Sequence, residues 1–109
     1  VTKLKITAST AISPAVELFA AERKRQVVEE GFSTASDLTV NANGELALAA
    51  ACYALPKDMF SHNEDVFAKL WPWKMKWWKP RMDDRKREIV IAGALLIAEY
   101  DRLAETEKK

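Results

Sequence analysis

The sequence predicts an all-α fold: a small single-domain bundle of three main helices plus one short helix, with an irregular tryptophan-rich segment between the last two. Three observations predict it. Ser13-Pro14 opens a long run that Gly31 closes, "ELALAAACYAL" runs unbroken until Pro56, and Asp83 or Asp84 opens a final stretch reaching about residue 105. With 109 residues, 49% of them hydrophobic and 30% charged, the chain has the size of one domain and the composition of a folded one. Residues 1–12 have β-branched side chains and no helical period, so they read as an N-terminal tail before a helical domain at 13–109.

In the first helix Ser13 is the N-cap, Pro14 suits the first helical position and Gly31 takes the left-handed cap. Val16, Phe19, Ala20 and Val27 fall on one face at helical spacing. Arg23 lands within that stripe with Glu30 beside it, so it either snorkels along the core edge or points into a cleft. A semi-buried arginine requires an anionic partner, and a ligand could be that partner. "FSTASDLTVNANG" then reads as a polar loop, long for a compact domain.

Asn43 or Gly44 starts the second helix, whose inner face is Leu46, Ala49, Ala50 and Tyr53. Its alanines make it thin enough for a close neighbour. A short helix at 64–70, capped by Asn63, precedes the tryptophans. The last helix has a middle, residues 89–98, that is apolar on every side, which places it centrally or in a core shared with a second subunit. Gly93 inside it costs about 1 kcal/mol relative to Ala, and contact with the alanine-rich helix is the expected compensation.

Ten apolar residues are too few to span a bilayer, which takes roughly 20. The opening residues do not resemble a secretion signal, so no membrane and a reducing, intracellular setting are expected. Cys52 is alone and reads as a small hydrophobe in a helix, and His62, the single histidine, sits in "SHNED". Three glycines leave no phosphate cradle, and no serine stands in an elbow motif. Zinc has no plausible ligand set. Carboxylates placed to converge on magnesium are poorly represented: Glu29 and Glu30 point to different sides, and Asp101 and Glu105 lie at a helix end. The reading is therefore non-enzymatic, with no cofactor and no metal.

What remains is "LWPWKMKWWKP", which puts Trp71, Trp73, Trp77 and Trp78, all four tryptophans, into eight positions. From Lys69 to Arg87 eight basic residues face only Asp83 and Asp84, a local charge of +6 in a chain whose total is +1. Such asymmetry suggests an anionic partner, although a solvated basic surface is the commoner explanation. The tryptophans either cover a core or offer flat faces to a ligand. On the second reading a base stacks on Trp73, Trp77 or Trp78. Phosphates meet Lys76, Lys79 and Arg87, while Arg23 or Gln26 lines the cleft. Nucleic acid is the weaker candidate, and its binding would fall steeply with salt.

The blocks "AAERKRQVVEEGFSTASD", "NGELALAAACYALP", "WPWKMKWWKP" and "RKREIVIAGALLIAEYDRL" together resemble a family of small proteins encoded by bacteriophages and prophages, over residues 20–103. The resemblance implies a phage or prophage origin and a bacterial cytoplasm; a protein of that origin that counters host defence would sequester a signal or block a host protein. A second similarity is to the ryanodine-receptor repeat, a small helical module. Arg25, Gly31, Phe32 and Asp37 follow its order, with Phe32 where that module has Trp. Bacterial versions of that module are associated with nucleotide-signalling defence systems. The expected partner is thus a small anionic, nucleotide-like ligand. The alternative is a host protein bound and inhibited by a homodimeric module, because Trp and Arg are favoured at interface hot spots.

Overall fold

Every regular element in the computed structural model, which describes residues 13–56, 64–80 and 83–108, is helical. Among the described residues the α-helices are α1 (Pro14–Glu30), α2 (Thr34–Val40), α3 (Glu45–Ala54), α4 (Glu64–Leu70) and α5 (Arg85–Glu107), with a 3-10 turn at Met75–Trp77. The expected tail at 1–12, the Asn63 cap and His62 lie outside the described residues.

The helix ends follow local chemistry. Gly31 closes α1 at φ 75°, and Phe32 N–H bonds back to Gln26 O at 3.1 Å, six residues earlier. Ser13 has the extended conformation of an N-cap, but its side chain makes no capping bond. Gly44, at φ 85°, precedes α3, and Asp84 caps α5 by accepting from Arg87 N–H at 3.0 Å. The segment read as a loop contains α2, where Ser33 caps the helix by accepting from Ser36 N–H at 3.2 Å. Seven residues are too few to show a hydrophobic period. The clue was instead punctuation, since Ser33 and Asn41 bracket a stretch free of Gly and Pro.

α5 is the spine, packing against α3, α1 and α2, while α4 lies on α3. The core joins Leu46, Ala49, Ala50, Cys52 and Tyr53 of α3 to Ala92, Leu95 and Ala98 of α5, with Phe67 and Trp71 closing one end. The inner face of α3 is thus the expected one. Two other expectations need correction. On α1 the buried residues are Glu22, Arg23 and Gln26, while Val16, Ala20 and Val27 are exposed. The apolar stripe was sparse, and salt bridges to other elements turn the polar face inward. On α5 the all-apolar middle is not enclosed on every side, for Ile89 and Leu96 are exposed.

Gly93 is buried, but its close neighbour is Phe19 of α1 rather than the alanine-rich α3. A methyl group built there would overlap the Phe19 ring. Gly93→Ala is expected to lower stability by about 1–2 kcal/mol, as overpacking outweighs the gain in helix propensity. In a Phe19→Ala background the same change should become stabilising. Urea denaturation of the four proteins checks this, and an equal effect in both backgrounds would refute the close approach.

Candidate functional site

The tryptophan segment leaves α4 at Leu70 and cannot remain helical, because Pro72 follows Trp71 at once. Its turn is organised by one carbonyl. Lys74 O accepts from Trp77 N–H at 2.9 Å and from the Trp71 indole at 3.1 Å. That arrangement sends the four indoles to different fates. Trp71 is buried, with its ring 6.0 Å from Tyr53, 6.3 Å from Phe67, 5.4 Å from Trp73 and 4.9 Å from Trp78. Trp78 packs at 4.7 Å from Tyr53 and 4.6 Å from Phe67. These two cover the core. Trp73 is half-buried, stacked near Phe32 at 6.5 Å, and Trp77 is 57% exposed.

Beside them a cleft of about 720 Å³ opens between this segment, α1 and α5, within the size range of small-molecule sites. Its apolar lining includes Phe32, Trp71, Trp73, Trp77 and Leu95. Glu22, Arg25, Gln26 and Glu30 line it from α1, Asn41 from the end of α2, and Lys74 and Lys79 from the tryptophan segment.

Trp73 is pinned rather than merely packed. Its indole N–H donates to Asn41 Oδ1 at 3.0 Å, and Asn41 Nδ2 donates to Asp37 Oδ1 at 2.8 Å. Asp37 is fully buried, 3.8 Å from Arg23, whose Nη1 donates to Phe32 O at 2.6 Å. Burial pushes the Asp37 carboxyl above its usual range, against the opposing pull of Asn41 and Arg23. The chain of contacts explains Arg23. It is buried and meets Asp37, so the anion it requires is supplied by the protein itself.

A second charged group stiffens the α1 wall. Arg25 grips Glu22 through two bonds of 2.9 and 2.8 Å, and Arg87 of α5 donates to the same carboxylate. Burial alone would raise the Glu22 pKa, but the two guanidinium groups together hold it below the usual carboxylate range. Arg25 also lies 3.8 Å from Glu29 and 3.5 Å from Glu30. Neither Lys74 nor Lys79 forms an ion pair among the described residues, and these are the cations the cleft can offer a ligand.

Of the residues expected to bind, Gln26, Trp73, Trp77 and Lys79 line the cleft, whereas Arg23, Lys76, Trp78 and Arg87 do not. Lys76 Nζ sits over the Trp77 ring at 5.3 Å, Arg87 is engaged with Glu22, and Trp78 belongs to the core cover. Glu22, Arg25, Asn41 and Lys74 line the cleft without having been expected to bind a ligand. Glu22 and Gln26 share a helix face at i, i+4, which was a readable sign. Asn41 is brought in by α2, the helix not anticipated.

Burial pushes the Cys52 thiol up to about 11, the opposite of what a nucleophile requires. Among the described residues no group of three or more His, Cys, Asp or Glu side chains is placed to hold a metal ion, and no described helix is long and apolar enough to cross a membrane. Searches of family models, curated proteins and solved structures return no match to the chain.

Proposed function

We propose that this chain is a non-enzymatic binding protein of the phage or prophage type, whose cleft takes a small, flat, anionic ligand of nucleotide-like chemistry. The observation that carries this reading is the meeting, in one cleft, of the indoles Trp73 and Trp77 with Lys74 and Lys79, which form no ion pair among the described residues. A base would lie against the indoles, where stacking contributes about 1–3 kcal/mol, and its phosphate would reach the lysines by charge-assisted hydrogen bonds. Acting in the bacterial cytoplasm, such a protein would counter host defence by sequestering a nucleotide signal.

Intrinsic tryptophan fluorescence, titrated with mono-, di- and cyclic nucleotides, tests this directly. One ligand should give a saturable shift, and Trp77→Ala should weaken it by about tenfold or more while leaving the fold intact, since Trp77 is mostly exposed. Unchanged affinity in that variant, or silence across the panel, would sink the reading.

A second reading, a homodimeric module that binds and inhibits a host protein, is favoured by the outward face of α5. Ile89, Leu96, Tyr100 and Leu103 are all exposed there at helical spacing. Light scattering coupled to size exclusion decides it in part, because a strict monomer would remove the dimeric version.

A further inference from the structure

We infer that Gln26 makes the cleft selective for bases bearing an exocyclic amine, its carbonyl oxygen being the acceptor that such an amine would meet. The inference rests on the nucleotide-like reading above and specifies which nucleotides that cleft prefers.

Gln26 lines the cleft from α1 and is only 3% exposed. Its Nε2 donates to Glu22 Oε2 at 3.3 Å, whereas its Oε1 is buried and meets no donor among the described residues. Reversing the amide is not an escape, because that would set its oxygen against a carboxylate, which is acceptor-only when ionised. Glu22 stays ionised, held so by Arg25 and Arg87. A buried acceptor left without a partner is a standing penalty, and a donor arriving with a ligand would relieve it.

The rest of the wall points the same way. Glu22 and Glu30 are acceptors, the Arg25 guanidinium is taken up by Glu22, Glu29 and Glu30, and Gln26 Nε2 is turned to Glu22. The α1 wall therefore asks for N–H groups, while the tryptophan segment offers Lys74 and Lys79 to an anion. A nucleotide with an amino-bearing base has both ends. Its amine would face α1, its ring would lie along Trp73 and Trp77, and its phosphate would reach the lysines. Because Oε1 is covered in the free cleft, contact requires the terminal amide to turn part of the way about its last bond, a soft torsion, giving up the long 3.3 Å bond from Nε2 to Glu22 for the one from the ligand.

Two matched ligand pairs test this by isothermal titration calorimetry: adenosine monophosphate against purine riboside monophosphate, and guanosine monophosphate against inosine monophosphate. Within each pair the only change is an amino group replaced by hydrogen. The amino-bearing member of at least one pair should bind about tenfold tighter, the size expected for relief of a buried unpaired acceptor. In Gln26→Leu that ratio should shrink to about twofold, with helical circular dichroism retained. Gln26→Met serves if the leucine variant does not fold, and the wild-type comparison needs no variant. Equal affinities within both pairs, or a ratio unchanged by the substitution, would overturn the role of Gln26 and leave the nucleotide reading standing. No heat from any of the four, together with silence in the fluorescence panel, would overturn both.

Discussion

Trp71→Ala is expected to lose about 3–5 kcal/mol of stability, while Trp77→Ala, six residues further along the same segment, loses less than about 1. The two indoles belong to one segment and differ in what surrounds them. Trp71 is 6% exposed and lies among the rings of Tyr53, Phe67, Trp73 and Trp78. Removing it opens a cavity that neighbours on α3, α4 and the turn cannot all close, so the lost burial and the residual void add. The indole hydrogen bond is a minor part of the loss, since Lys74 O keeps its bond from Trp77 N–H. A domain of this size is typically stable by about 5–15 kcal/mol, so Trp71→Ala should be marginally folded at room temperature. Urea denaturation followed by circular dichroism measures both variants on one scale. A loss below about 1 kcal/mol for Trp71→Ala would mean that the aromatic cluster is not part of the stabilising core.

The contrast between these indoles also marks where sequence reading stops. The density of tryptophans and lysines identified the segment, and Gln26, Trp73, Trp77 and Lys79 do line one cleft. Nothing in "WPWKMKWW" says which indole faces in. That is decided by a 3-10 turn of three residues and by a carbonyl shared between Trp71 and Trp77. The helices α1, α3 and α5 were legible because their signals are local: a proline at the start, a glycine at φ 75° at the end, an aspartate accepting from the first turn. The partner of Gly93 was not. Both α1 and α3 pack on α5, and only the three-dimensional arrangement selects Phe19.

The buried charges were the least legible feature, for the same physical reason. Glu22 and its partner Arg87 are 65 residues apart, and Arg102 donates to Ala42 O at 3.1 Å across 60 residues while gripping Glu99 beside it. Each is a charged residue on a helix, indistinguishable in sequence from a solvated one. Arg23 alone betrayed itself, by falling within an apolar stripe, and the anion it required proved to be Asp37. One consequence bears on the site. Two of the cations expected to meet a ligand, Arg23 and Arg87, are absorbed by salt bridges inside the protein, and Arg25, which lines the cleft, is held in the same way.

Arg85→Ala is expected to destabilise the protein by about 1–3 kcal/mol, although Arg85 is at the first turn of α5 and partly exposed. A helix end leaves its last carbonyls without intrahelical donors, and at the end of α3 Arg85 supplies them. Nη1 donates to Tyr53 O at 3.1 Å and Leu55 O at 2.9 Å, and Nη2 donates to Ala54 O. The same Nη1 is 3.3 Å from Glu88, which is fully buried. Truncation therefore strips three carbonyls of this donor and takes the arginine away from a buried carboxylate, and the carbonyls account for most of the loss. Arg85→Lys should recover less than half, because a single ammonium cannot reproduce a planar fork spanning adjacent carbonyls. Glu88→Gln placed in the Arg85→Ala background should cost less than Glu88→Gln alone, since the charge it removes has already lost its arginine. Thermal and urea denaturation of the four proteins in this cycle give the coupling, expected at about 0.5–1 kcal/mol. Strict additivity would show that Arg85 acts only as a cap on α3 and that the ion pair contributes nothing.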